Sequence, residues 1–456
     1  MKDLLMDAAR RGIRYREELA SRSVAPAGSA LLALAGFDEK LPEQGASAAA
    51  TLALLDEVGS PATVATAGPR FFGFVVGGSL PVTVASNWLA AAWDQNVHMH
   101  EAATATARLE QVALDWLVEL LDLPAGTGAG FVTGATVANL SGLAAARHRV
   151  CSDAGWDVEA QGLIGAPQIT VIIGDEAHPM LTKSLGLLGF GRNRVVRVPV
   201  DGQGRMLADR LPAISGPTII CTQAGNVNSG AFDPIGAICD VAKAHDAWVH
   251  VDGAFGLWAA TSPTTRELVA GVNKADSWAT DAHKWLNVPY DSGIAFVRNP
   301  NDLKAAMSIT ADYLPVESSR RNPSDYVPEL SRRARGVDVW AALRTLGRQG
   351  LAAMIERSCA HARRFAGGFR AAGFEILNEV VLNQVLVAFG TDAMTRKVID
   401  AVQRDGTCWC GVTVWQGRTA MRMSVSNWST TAADVDMSLA AMLRIARELA
   451  AAVEES

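Results

Sequence analysis

Lys284 and Asp252 are the two side chains whose settings point to covalent chemistry. Asp252 ends the run Trp248-Val249-His250-Val251-Asp252 and is followed by the small residues Gly253 and Ala254. A short apolar run, β-branched at Val249 and Val251, reads as a buried strand, and α/β sheets keep their ligand crevices at the C-terminal ends of such strands. Lys284 sits in Thr280-Asp281-Ala282-His283-Lys284-Trp285-Leu286, with His283 as the nearest other basic side chain. A lysine among aromatic and apolar neighbours tends to lose its proton, and a neutral amine can form a Schiff base. An acid at one strand end and such a lysine on a later loop are what pyridoxal phosphate requires. The amine holds the aldehyde carbon, and the carboxylate keeps the ring nitrogen protonated so that the ring accepts electrons. Either residue alone is more simply a capping Asp or a surface Lys; the pair favours the cofactor.

A phosphate needs a seat, and one segment offers it. In Gly130-Phe131-Val132-Thr133-Gly134-Ala135-Thr136-Val137-Ala138-Asn139-Leu140, small and hydroxylated residues precede a helix expected to run to about Arg149. The free amides of a helix start can bind an anion, here near Ala135 and Thr136. Ser and Thr at such places are mostly caps, so this signal is weak by itself.

The elements that must position these groups alternate. Strands are expected at 168–174, 195–198, 217–222, 248–251 and 294–297, with helices between several of them. That order implies a mostly parallel sheet covered on both faces, with His178, the loop at Gly225-Asn226, Asp252 and Lys284 converging on one edge. The periodic run from Thr106 to Leu121 is a core helix. Residues 310–336 lack periodicity, contain Tyr313 and Tyr326, and read as a lid. Short strands and helices after about 345 form a smaller lobe. The expected division is a helical arm over 1–65, a large cofactor domain over 66–345 and a small α+β domain over 346–456. In the arm, Arg10, Arg11, Arg14 and Arg16 with Glu17 and Glu18 make a solvated helix face or a segment that packs on a second subunit.

Composition narrows the classes. The net charge of −6 argues against nucleic acid or an anionic membrane as a main partner. No apolar run is long enough to span a bilayer, and the N-terminus lacks a signal-peptide core. The six cysteines have no zinc spacing, so no metal is expected, and free thiols in a reducing cytoplasm fit them.

Five ordered motifs together resemble the group II pyridoxal-phosphate decarboxylases, which include aromatic-amino-acid, glutamate and diaminobutyrate decarboxylases. They are Thr133-Gly134-Ala135-Thr136-Val137-Ala138-Asn139-Leu140, Glu176-Ala177-His178, Gly230-Ala231-Phe232-Asp233-Pro234-Ile235, His250-Val251-Asp252-Gly253-Ala254, and Asp281-Ala282-His283-Lys284-Trp285-Leu286. The match covers roughly residues 65 to 430. It implies the fold of the type I pyridoxal-phosphate enzymes, an α/β architecture with a mostly parallel seven-stranded sheet and a smaller α+β domain. It implies that Lys284 forms the internal aldimine, Asp252 pairs with the ring nitrogen, and Ala254 and His178 take the two ring faces. Ala135 and Thr136 would hold the phosphate with help from the loop before Lys284, and Asn226, Asp281 and His283 would also contact the cofactor. Tyr313 would return a proton to the substrate α-carbon on a loop shared across a homodimer whose active sites lie at the subunit interface. A substrate contact is expected from Arg422, and an aromatic substrate is preferred from Phe72, Phe74 and Trp93. The chain differs from many relatives in having Asn226-Val227 where a threonine pair is common, and Gly253 after the aspartate. The reaction expected is decarboxylation of an L-amino acid to its amine. The rivals are a carbon–carbon lyase or aldolase, an aminotransferase and, last, a non-catalytic scaffold.

Overall fold

Five strands of the larger unit are buried at every position, the mark of a sheet covered on both faces: β1 (Gly128–Val132), β4 (Thr218–Gln223), β5 (Trp248–Asp252), β6 (Ser277–Asp281) and β7 (Gly293–Val297). With β2 (Thr170–Gly174) and β3 (Val196–Val198) they form one seven-stranded sheet in the order β1-β7-β6-β5-β4-β2-β3. Neighbours from β6 through β3 pair in parallel, and only β7 runs against both of its neighbours. The sheet is therefore mostly parallel, as the alternation of strands and helices requires. The computed structural model describes residues 1–309 and 320–454. It divides into a unit of Gly77–Ala360 with Asn378–Gln384, and another of Met1–Val76, His361–Leu377 and Val385–Ser456. This division falls within the helix Arg335–Ala371, and residue 345 lies beside the break in that helix at Gly347, where φ is 60°.

In the larger unit, helix α1 (Thr104–Leu120) carries Glu110 on its buried face, and helix α2 (Ala135–Asp153) lies against the sheet. The small residues Ala144, Ala145 and Ala146 of α2 let it approach closely, so that they share one core with Ile173, Ile219 and Trp248. Helix α3 (Pro179–Leu187) adds Leu181 and Leu185 to that core. Trp258 and Trp278 are fully buried with their ring N–H groups satisfied, donating to the carbonyls of Asp281 (3.1 Å) and Val272 (2.9 Å). Burying side chains of this kind is worth roughly 1.5–3 kcal/mol each.

The other unit holds a four-stranded sheet, β8 (Glu375–Ile376), β9 (Gln384–Ala388), β10 (Gly411–Trp415) and β11 (Arg418–Ser424), in the order β10-β11-β9-β8. Gln416 and Gly417 both have positive φ, the geometry of a two-residue hairpin turn matched to strand twist. Its N-terminal helix Lys2–Glu18 buries no residue, and Arg11 and Arg14 both pair with Asp56. Among the described residues no helix is long and apolar enough to cross a membrane, and no cluster could hold a metal ion.

Two buried ionisable groups in the larger unit yield measurable consequences. Glu110 and Arg332 are both fully buried and pair at 2.8 Å, and Arg332 also donates to the Phe131 carbonyl of β1 at 2.6 Å. Glu110→Ala leaves a buried cation unpaired, so the unfolding free energy in denaturant should fall by about 3–5 kcal/mol. On β5, burial pushes the pKa of His250 from 6.5 down to about 4, against the opposing pull of Asp252. The unfolded chain takes up a proton that the folded chain refuses, so this contribution is complete above pH 6.5 and is lost as pH falls towards 4. Relative to a His250→Asn variant, the wild type should lose about 2 kcal/mol of unfolding free energy between about pH 7.5 and about pH 5.

Candidate active site

A cavity of about 220 Å3 opens within the larger unit at the ends of β4, β5 and β6 and the start of α2. Ala135, Thr136, His178, Asp252, Ala254, Asp281, His283 and Lys284 all line it. The convergence follows from parallel order: strands running the same way deliver their last residues to one edge.

Asp252 is 6% exposed, and each of its carboxylate oxygens accepts one neutral N–H. Oδ1 takes the Ala254 amide at 3.2 Å and Oδ2 the Asn139 side-chain amide at 3.1 Å. Among the described residues no Lys or Arg lies within ion-pair distance of it. A carboxylate so buried ordinarily carries a cationic partner. Asp252 instead lines the cavity. Gly253 follows because a Cβ there would lie 2.8 Å from the Leu257 Cβ, closer than packed carbons come.

Lys284 Nζ lies 3.2 Å from Asp281 Oδ2. Its polar neighbour is thus a carboxylate, where the sequence suggested apolar and aromatic surroundings alone. The same carboxylate accepts the Ala135 amide through Oδ1 at 2.6 Å, which ties the lysine loop to the start of α2. His283 Nδ1 accepts the Ser292 amide at 3.1 Å, leaving Nε2 on the side of Asp281, 3.7 Å from Oδ2. Burial lowers the His283 pKa and Asp281 partly opposes this, so the imidazole is neutral near pH 7. His178 lines the cavity and also caps α3, its Nδ1 accepting the Met180 amide at 3.3 Å. Capping and a ligand-facing role coincide in one residue.

Several expected residues lie elsewhere. Asn226 is absent from the cavity wall, although Gly225 and Val227 on either side are present. Its side chain organises the loop, donating to the Glu176 carbonyl at 3.3 Å and accepting the Asn228 amide at 2.8 Å. Trp93 ends the helix Pro81–Trp93, is 43% exposed and does not line the cavity. Phe72, Phe74 and Arg422 belong to the other unit. There Phe72 packs edge-on against Phe365, Phe74 lies against Trp409, and burial on β11 lowers the pKa of Arg422. Tyr313 lies outside the described residues. Residues that the sequence reading passed over include Asn139, Gln223 and Phe255, all on the cavity wall. Asn139 could have been found from helical spacing, one turn after the amides at the start of α2.

The donor set fits pyridoxal phosphate. Thr136 is second in α2, so its amide has no intrahelical carbonyl to reach, and Gly134 before it provides no side-chain cap. An anion, a covalently held aldehyde and a cationic ring nitrogen each find a complementary group on one wall. The seat depends on backbone approach: a Cβ on Gly293 of β7 would lie 2.5 Å from the Gly134 Cα. Gly293→Ala should displace the start of α2 and raise the Kd for pyridoxal phosphate about tenfold or more, measured by titration of the apoprotein.

A family model, the pyridoxal-dependent decarboxylase conserved domain, matches residues 33–391. Tryptophan decarboxylase 1 of Oryza sativa subsp. japonica is 29% identical over 401 residues, covering 79% of this chain and 77% of that protein. L-2,4-diaminobutyrate decarboxylase of Rhizobium meliloti is 29% identical, covering 90% of this chain and 84% of that one. Among solved structures, Oryza sativa TDC with PLP and tryptamine superposes with a TM-score of 0.90 over 98% of each chain at 24% identity, a likeness of fold. The chain therefore belongs to the pyridoxal-dependent decarboxylase family.

Proposed function

We propose that this protein converts an L-amino acid, with aromatic ones preferred, to its amine, using Lys284, Asp252, His178 and Tyr313. The observation that carries this reading is the single cavity in which Lys284, Asp252 and His178 meet the start of α2. Pyridoxal phosphate, when bound, supplies an electron sink for the carbanion left by loss of carbon dioxide. Lys284 Nζ would carry the cofactor, and Asp252 would hold a proton on its ring nitrogen. The Thr136 amide and hydroxyl would bind its phosphate, the Ala135 amide being held by Asp281 Oδ1. His178, with Nδ1 engaged by the Met180 amide, would present Nε2–H on one face and orient the scissile carboxylate. Tyr313 would deliver a proton to the α-carbon through its phenol.

Aromatic preference is supported by the apolar part of the wall, Phe255, Met180 and Val227. An acidic side chain would need a second cation, and the described wall provides only Lys284, which the cofactor would take. The named activity of the rice relative points the same way. We place the protein in the cytoplasm, in keeping with its six free, buried cysteines.

The active form is proposed to be a homodimer. Trp88, Leu89 and Trp93, on the helix Pro81–Trp93, are each more than two-fifths exposed in the single chain. A patch of this kind marks an interaction surface. Sedimentation should give a dimer for the wild type and a monomer for a Trp88→Glu, Leu89→Glu variant; an unchanged dimer would remove this patch from the interface.

The reaction is tested with a panel of L-amino acids, reading carbon dioxide and amine together. Aromatic substrates should give equal amounts of both, and Lys284→Ala should lower kcat by at least about 1,000-fold. Aldehyde release without carbon dioxide, or turnover that depends on an added keto acid, would overturn the reading. Tyr313→Phe should lose amine formation or divert the decarboxylated product to aldehyde, with carbon dioxide still released and dioxygen consumed.

A further inference from the structure

Behind Asp252 a line of buried polar groups crosses from β5 to β6 and back to α2. Trp248 Nε1 donates to Ser277 Oγ at 2.8 Å, and Ser277 Oγ lies 2.8 Å from His250 Nδ1. His250 Nε2 lies 2.8 Å from Asn139 Oδ1, and Asn139 Nδ2 donates to Asp252 Oδ2 at 3.1 Å. Asn139, His250 and Ser277 are fully buried, and Trp248 and Asp252 are 6% exposed. Trp248, His250 and Asp252 share one face of β5 because side chains alternate along a strand.

We infer that Asn139, His250 and Ser277 form a hydrogen-bond relay of fixed direction that positions Asp252 for the cofactor's ring nitrogen.

The Asp252 end dictates the direction. An ionised carboxylate can only accept, so Asn139 turns its NH2 towards Asp252 and its Oδ1 towards His250. His250 must then carry its one proton on Nε2 to donate to Asn139 Oδ1, which leaves Nδ1 as an acceptor. Ser277 Oγ receives the indole N–H and gives its own O–H to His250 Nδ1. Reversing any single link would set two acceptors or two donors face to face in a water-free site, which costs more than the bond is worth. Burial keeps His250 neutral near pH 7, so it has one proton to place.

The packing is shaped to admit this line. Gly142 of α2 has no side chain where a Cβ would lie 2.9 Å from the His250 ring, so the imidazole lies flush against the helix. Asp252 Oδ1 is fixed independently by the Ala254 amide. Between them the two bonds hold the carboxylate plane while leaving lone pairs for a ligand N–H. Asn139, His250 and Ser277 are positioning residues that act through Asp252. The relay rests on the proposed meeting of Asp252 with the ring nitrogen.

The test uses the full-length chain. In protein labelled with 15N-histidine, the His250 signal is the one missing from His250→Gln. Its Nδ1 shift should be that of an unprotonated ring nitrogen and its Nε2 shift that of an N–H, with and without pyridoxal phosphate. The opposite tautomer overturns the relay whatever happens to the cofactor. In a second arm, pyridoxal phosphate is titrated into the wild type, Asn139→Leu and Asp252→Ala, each checked for native circular dichroism. Asn139→Leu should raise the Kd about tenfold to a hundredfold and shift the absorption band of the bound cofactor in the direction that Asp252→Ala shifts it. An unchanged Kd and band in Asn139→Leu would overturn the positioning role. If Asp252→Ala also leaves both unchanged, the assignment of Asp252 fails instead, and the tautomer still reads the relay by itself.

Discussion

A carboxylate at the end of the central strand, buried and bonded among the described residues only to neutral donors, is the constraint on which this molecule turns. Removing Asp252 from water without a cation is costly, and hydrogen bonds from Ala254 and Asn139 offset only part of that cost. The proposed ring nitrogen would supply the missing positive charge from within the cavity that Asp252 lines. The surrounding sheet explains why the carboxylate does not simply turn outwards. β5 has a parallel neighbour on each side, β4 and β6, and α2 packs over them, so its last residue has little freedom.

Around that residue the fold brings separate parts of the chain to one place by backbone approach and by shared polar groups. Asp281 illustrates both. Its carboxylate holds the lysine amine on one side and the first amide of α2 on the other, while its carbonyl receives the Trp258 ring N–H. The bare backbones of Gly134 and Gly293 let the helix start approach β7. On the other flank, Gln223 and Asn226 both donate to the Glu176 carbonyl and so fix the turn that presents His178. The site is thus assembled from hydrogen bonds, the Lys284–Asp281 ion pair and close backbone contacts.

Much of this was legible in local patterns. Asp252 stood at a strand end that could be read from neighbouring residues, whereas Lys284, read as part of a loop, lies in the short helix Ala282–Trp285 directly after β6. Five strands of the large sheet were read to within about two residues, but β1 and β6 were not read as strands: Gly128 and Gly130 in one, and Ser277, Thr280 and Asp281 in the other, interrupt the apolar run that marks a buried strand. What was not legible depended on register between distant elements. Asn139 looked like one more residue of a phosphate-binding helix; only the packing of α2 on β5 turns it towards Asp252. Asn226 was assigned by its place after a strand, yet its short amide reaches the backbone of its own loop and the Glu176 carbonyl before it reaches the cavity. Phe72 was equally ambiguous, since a ring beside glycines can line a pocket or fill a core. Phe72 fills a core, at 1% exposure.

The most direct test is a crystal structure of the cofactor-loaded protein. The ring nitrogen should lie within hydrogen-bonding distance of the Asp252 carboxylate, with the aldehyde carbon joined to Lys284 and the phosphate at the start of α2. A cofactor bound with its ring nitrogen away from Asp252, or held by a different lysine, would contradict the account.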